Sequence, residues 1–217
     1  MQFPFLSVII FTPMIVAVLL FLMPANRKDE VRVISAFGAF ITLALSVYVF
    51  VAYDKAGPQY QFVEQLPWVP ALGINYHVGT DGIGNTMLLL TGLVIFTGSL
   101  VSWSIQDRPR EFYALLLILV SGVFGVFVAR DAFLLFFMYE MAIFPMYILI
   151  ATWGSTRKEY AAMKLTLYLL VGSIVALVGI LALYFAAPER TFDLGKLARF
   201  AQEGRFMFTV NLPFDLK

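Results

Sequence analysis

Apolar residues gather into six runs along the chain, near 4–23, 32–53, 86–104, 112–129, 132–153 and 161–186. Each run is long enough to cross the ~30 Å hydrocarbon core of a bilayer. A backbone in lipid has no water to bond to, so runs of this length and low charge predict six spanning α-helices. Phe5–Met23 is longer than the apolar region of an ordinary secretory signal. No basic residue precedes it and no small-x-small site follows it, so it is expected to be the first span. Between the second and third runs the period changes to two. In FVEQLPWVPALGINYHVGTDGIG (62–84), Ile74, Tyr76 and Val78 alternate with Asn75 and His77. That alternation predicts a half-buried strand in a small external hairpin over 60–84, with His77 on the solvent side. After the last run, DLGKLARFAQEGRF (193–206) places Leu194, Leu197, Ala198 and Ala201 on one helical face, opposite Lys196, Arg199 and Glu203. It predicts an amphipathic helix at the membrane surface.

The fold class expected is all-α: a polytopic membrane bundle of about six transmembrane helices, N-terminus outside, with a small external β-hairpin. The expected organisation is a six-helix bundle over 1–186 followed by a surface tail over 187–217. Orientation rests on Lys and Arg in the short turns. Arg27, Lys28, Arg32, Arg108, Arg110, Arg157 and Lys158 fall on one side, against Lys55 and Arg130 on the other. The tail carries Arg190, Lys196, Arg199 and Arg205 on the sparse side, but it follows six already oriented helices and carries less weight than the turns. Small residues four apart, Ser121/Gly125 and Gly172/Ala176, suit close helix–helix approach in spans four and six.

Composition narrows the chemistry. Hydrophobic residues make up 61% and charged residues 13% of the 217 positions, and mean hydropathy is +0.86. Soluble domains carry about 25% charged residues, so the partner expected here is the lipid bilayer of a cell membrane. A net charge of +1 argues against nucleic acid. With no Cys and a single His (His77), thiolate sites, disulfides and multi-histidine haem or zinc sites are excluded within the chain. No cofactor or metal is expected in it.

The candidate chemistry lies in DAFLLFFMYEMAIFPMYILIATWG (131–154), where Glu140 interrupts an apolar span. Eight residues in, it sits about 12 Å below the outer surface, near the midplane. The seam Phe133, Phe137, Glu140, Phe144, Tyr147 has helical spacing and is expected to face a neighbouring helix. Pro145 lacks an N–H and frees the carbonyl of Met141, loosening the turn beside the acid. Acids at this depth are functional by default, as proton-holding sites, although a protonated Glu140 could also simply bond two helices together. Lys164, with Tyr168 one turn on, lies ~6 Å from the inner surface. It either snorkels to the headgroups or serves a charge pathway. It differs from Glu140 by ~14 Å in depth, so intervening waters or residues would have to connect the two. Arg130–Asp131 reads as a local interfacial pair, Asp81 as a turn or cap residue, and Trp103 and Trp153 as interfacial anchors.

The run ARDAFLLFFMYEMAIFPMYILIATWG, followed by EYAAMKLTLYLLVGS, resembles the antiporter-like membrane subunits of respiratory complex I, chain M in particular. WVPALGINYHVGTDGIG and TFDLGKL resemble further parts of the same family, and together the segments cover the chain past its first helix. The resemblance implies a proton-translocating, non-redox membrane subunit of an NADH:quinone oxidoreductase, an enzyme complex whose other membrane-arm subunits would be its partners. It aligns Glu140 with a proton-channel acid and Lys164 with a sixth-helix lysine, the two site residues expected here. In that family the acid pairs with a lysine on a broken seventh helix, in chains of about fourteen helices. This sequence stops at NLPFDLK, before such a helix, and is therefore expected to correspond to the N-terminal part of such a subunit. Mrp-type cation/proton antiporters and membrane-bound hydrogenases share these features and remain the alternative. A third reading is a structural scaffold in which Glu140 stays protonated.

Overall fold

A computed structural model describes residues 3–24 and 26–206. Six helices long and apolar enough to span a membrane are present: α1 (Phe5–Leu22), α2 (Lys28–Ala52), α3 (Gly82–Val101), α4 (Pro109–Val128), α5 (Ala132–Trp153) and α6 (Lys158–Ala186). The chain is a multi-pass membrane protein. α2, α3, α4 and α6 begin three to four residues before their apolar runs, because their first turns are polar or glycine-bearing. The hairpin is formed by β1 (Gln61–Val69) and β2 (Ile74–Thr80), antiparallel, joined by a 3₁₀ turn at Pro70–Leu72 and a left-handed Gly73 at φ 68°. A short amphipathic α7 (Leu194–Gln202) follows the last span. Residues 207–217, the end of the expected surface tail, lie outside the described residues.

α4 is the centre of the bundle. It packs against α1, α2, α3 and α5 and is the most buried of the spans. Its approach to α5 is made by glycine. A Cβ on Gly122 would stand 2.8 Å from the carbonyl oxygen of Met138, and one on Gly125 would stand 2.6 Å from the Met138 side chain. Lipid offers no hydrophobic drive for helices to associate, so close van der Waals contact of this kind is what holds them. Ser121 contributes differently from expectation: its hydroxyl donates to the Ile10 carbonyl of α1 at 2.7 Å, in the turn weakened by Pro13. The second expected pair is corrected. A Cβ on Gly172 would meet no atom of a neighbouring element within 4 Å, and Ala176 is exposed. Among the described residues their face of α6 meets no other element, because α6 packs chiefly on α5.

On the outer side the hairpin does not end at β2. Val78 bridges Ala129 and the Arg130 N–H donates to the His77 carbonyl at 2.8 Å, so the α4–α5 linker continues the sheet irregularly. Residues 192–194 then join the linker. Ala132 N–H donates to Phe192 O at 2.8 Å, and Leu194 N–H to Arg130 O at 3.0 Å. This four-segment ribbon corrects the expected solvent side of β2. His77 is buried, because the linker and the segment before α7 cover the face the alternation leaves open.

On the opposite side basic residues tie the turns together. Arg110 donates to Met23 O at 3.0 Å, Arg32 to Ile105 O at 2.9 Å and Lys28 Nζ to Gln106 O at 2.9 Å. Trp153 Nε1 donates to Asp107 O at 2.8 Å, fixing the end of α5 to the α3–α4 turn.

Two outcomes are expected. Gly122→Val should push α5 off α4 and cost about 1–3 kcal/mol, read as a lower apparent melting midpoint in detergent, whereas Gly172→Val should leave the isolated chain unchanged. With no native cysteine, Lys55→Cys should react with a membrane-impermeant maleimide on intact cells, and Asp29→Cys only after permeabilisation. The reverse labelling would invert the topology.

Candidate functional site

Glu140 lies in the middle of α5. The residue is half-buried, and its Oε1 is sealed from solvent with no hydrogen-bond partner among the described residues. An oxygen left in this state carries a desolvation cost of ~1–3 kcal/mol. Residues kept at such cost are characteristically ones that exchange partners or protons. The expectation that its seam faces a neighbouring helix is corrected. Phe137, Phe144 and Tyr147 are exposed, and α5 meets α4 through Met138 and Ala142 instead, with Leu134 buried in the same core. At the outer end of the seam Trp68 of β1 lies 6.2 Å from the Phe133 ring and 5.3 Å from Phe137, and Phe192 lies 5.8 Å from Phe133.

Lys164 is not brought to Glu140. Among the described residues Glu140 forms no ion pair, and Lys164 sits on the exposed side of α6, its Nζ 6.0 Å from the Tyr160 ring centre. α6 meets α5 with Ala162 and Ser173, on the opposite side. Lys164 opens into a shallow groove of about 420 Å³ lined by Tyr160, Met163, Leu167, Tyr168 and Val171. Glu140 and Lys164 are therefore not paired, the first half-buried within α5 and the second exposed on α6.

The outer frame that holds α5 is built from residues flanking the site. Asp131, expected as half of an ion pair with Arg130, is instead the buried cap of α5. Its carboxylate accepts from Phe133 N–H at 3.0 Å, Leu134 N–H at 3.1 Å and, across the ribbon, Asn75 N–H at 3.2 Å. Burial raises its pKa above the ordinary carboxylate range, and the neighbouring Asp193 adds to the rise, against the three N–H groups that lower it. Arg130 turns away to lie 3.3 Å from the centre of the Tyr60 ring, a cation–π contact. Asp81 caps α3 as expected, accepting from Gly84 N–H at 2.7 Å.

Glu64 has no signal in the sequence. A bulge between Gln61 and Glu64, with Phe62 at φ 53°, interrupts β1. Glu64 then accepts from Leu6 N–H at 2.9 Å and Ser7 N–H at 3.2 Å at the start of α1, and from the Ser7 hydroxyl. Ser7 Oγ lies 2.8 Å from Tyr76 Oη, and burial, with the charge of Glu64 adding, pushes the Tyr76 phenol up to about 12 despite that bond. A glutamate 58 positions from the helix it caps could be found only from the hairpin's packing.

The comparisons with known proteins fall on this framework. The transmembrane family described as NADH:quinone oxidoreductase/Mrp antiporter matches residues 129–213, which include α5 and α6. An NAD(P)H-quinone oxidoreductase chain 4 from Nostoc sp. is 39% identical over 197 residues, 90% of this chain and 37% of the relative. The chain thus spans a little over a third of that relative's length. Among solved structures, a chain of respiratory complex I from Thermus thermophilus with bound NADH superposes with a TM-score of 0.78 at 26% identity, over 89% of this chain and 39% of that one. A chain of the Mrp complex from Dietzia sp. shares the fold, with a TM-score of 0.68 at 18% identity, over 88% of this chain and 20% of that one.

Asp131→Ala removes the α5 cap and strands the Asn75 N–H, at an expected cost of about 1–2 kcal/mol. Because the Asp131 pKa is raised on folding, its contribution is fully present below the ordinary carboxylate range and is lost as pH rises through the raised value. The gap in melting midpoint between wild type and variant should therefore narrow as pH rises from that range, as thermal scans in detergent would measure.

Proposed function

We propose that this chain, similar over nine-tenths of its length to the chain 4 subunits of NAD(P)H-quinone oxidoreductases, is a proton-translocating, non-redox membrane subunit of such a complex. Glu140 is the acid that takes up and releases the proton, and Lys164 is a pathway cation on the open side of α6. The other membrane-arm subunits of the complex are its partners, and the electron-carrying groups are held elsewhere. The observation that carries this reading is the Glu140 carboxyl: mid-span, half-buried, with one oxygen sealed and unpartnered. Within the described bundle no helix-to-helix hydrogen bond fixes that oxygen. An acid free to change partners is what transfer through a span requires, since its proton affinity then follows the position of nearby charge and water.

The fold shared with the Mrp complex supports a second reading, a subunit of a cation/proton antiporter. Co-purification separates the two: hydrophilic NAD(P)H- or quinone-reducing subunits accompany the first, and sodium/proton exchange without them accompanies the second.

Glu140→Gln in the assembled complex should lower proton transport coupled to quinone reduction by roughly tenfold or more. NADH oxidation by an artificial acceptor should persist. Glu140→Asp, which keeps the titrating group, should retain part of the transport, and undiminished pumping in the glutamine variant would remove Glu140 from the pathway.

A further inference from the structure

The chain's one histidine joins two parts of the outer ribbon. His77 Nδ1 stands 3.1 Å from Asp193 Oδ2, with the two side chains 11% and 18% exposed. The His77 carbonyl meanwhile accepts from Arg130 N–H at 2.8 Å. A single residue of β2 therefore grips the α4–α5 linker by its backbone and the segment leading into α7 by its side chain. Asp193 is also the cap of α7, accepting from Lys196 N–H at 2.9 Å through its other oxygen. The backbone bonds of the strap are the same whatever the pH. The His77–Asp193 contact is a neutral hydrogen bond or an ion pair according to the charge on the imidazole.

The surrounding charges leave this contact electrically important. Asp131 bridges Asp193 across the ribbon, so two carboxylates share the site. Of the nearby cations, Arg130 stacks over Tyr60 with one guanidinium nitrogen beside Gly195, near Asp193 but not paired with it, Lys196 pairs with Glu189 at 2.9 Å, and Arg190 lies over Phe185. On the hairpin, Glu64 is committed to the start of α1, beside Tyr76. Among the described residues, His77 is the only group that forms an ion pair with either aspartate when it is charged. Imidazoles ordinarily gain their proton between about pH 5 and 8, whereas ordinary carboxylates stay charged down to about pH 4.

We propose that His77 and Asp193 form a pH-sensitive clasp that fastens residues 192–194, and α7 with them, to the start of α5 when the medium on the hairpin side turns acidic. With a neutral imidazole the strap holds by its backbone bonds and one uncharged side-chain bond, and residues 190–202 open more often. With an imidazolium the bond is charge-assisted, the net charge of the cluster falls, and opening becomes rarer.

Amide hydrogen exchange of the full chain in lipid nanodiscs tests this, read on peptides covering 187–206 and corrected for intrinsic exchange at each pH. Protection of this segment should be roughly fivefold greater at about pH 5.5 than at about pH 8, the difference between a charged and an uncharged hydrogen bond. His77→Gln, which keeps a polar side chain but cannot charge in this range, should abolish that difference. So should Asp193→Asn, which preserves a cap for α7 and decides the matter if the glutamine variant does not fold. Protection independent of pH in the wild type would overturn the clasp. So would a pH dependence that survives in either variant, which would place the titrating group elsewhere in the cluster.

Discussion

Every helix end in this chain has to satisfy backbone groups that lipid cannot, and the two sides of the bundle do so with opposite charge. The helices that start on the hairpin side receive carboxylates. Glu64 serves α1, Asp81 serves α3, Asp131 serves α5 and Asp193 serves α7. The helices that start on the other side carry arginine at the cap position: Arg27 before α2, Arg108 before α4 and Arg157 before α6, none with a side-chain cap bond. An arginine opposes the positive end of a helix dipole. Acids in the first turn offset it, namely Asp29 and Glu30, Glu111 and Glu159. The rule that keeps basic residues on one side thus costs local helix stability there, while the same bias allows acids to cap without conflict on the other. Two of these arginines also stand in the left-handed region, at φ 47° and 56°, where a side chain is strained.

The site depends on this framing. α5 is pinned at its start by Asp131 and at its end by Trp153, and along one side by the glycine contact with α4. Those three attachments leave the opposite side, with Phe144 and Tyr147, facing outward. α6 presents an outward side as well, carrying Lys164 and the small residues Gly172 and Ala176. The two residues singled out for proton transfer therefore belong to the part of the bundle with the least internal packing.

The sequence made the spans, the hairpin, the Asp81 cap and the placing of Glu140 within a span legible, because each is written in a local period or a residue out of place. Which face of α5 packs inward was not legible, since a helix apolar all round carries no directional signal. Gly122 and Gly125 of α4 decide it, from the other side of the contact. The burial of His77 was hidden for a related reason. Its cover comes from Asp193, 116 positions away, and alternation along β2 reports only the face turned to the bundle. Arg130–Asp131 looked like a pair by adjacency, yet neighbouring side chains on an extended segment point to opposite sides, one to Tyr60 and one to the backbone of α5.

The rung between residues 130–132 and 192–194 also has a mechanical meaning. It closes α5 and α6 into a loop whose two ends are fastened at a single place on the outer surface. A displacement of α7 reaches the first residue of α5 through two hydrogen bonds and a few residues of extended chain, bypassing the 29-residue length of α6. The shorter connection between the surface helix and the helix bearing Glu140 therefore runs across this rung and not along α6.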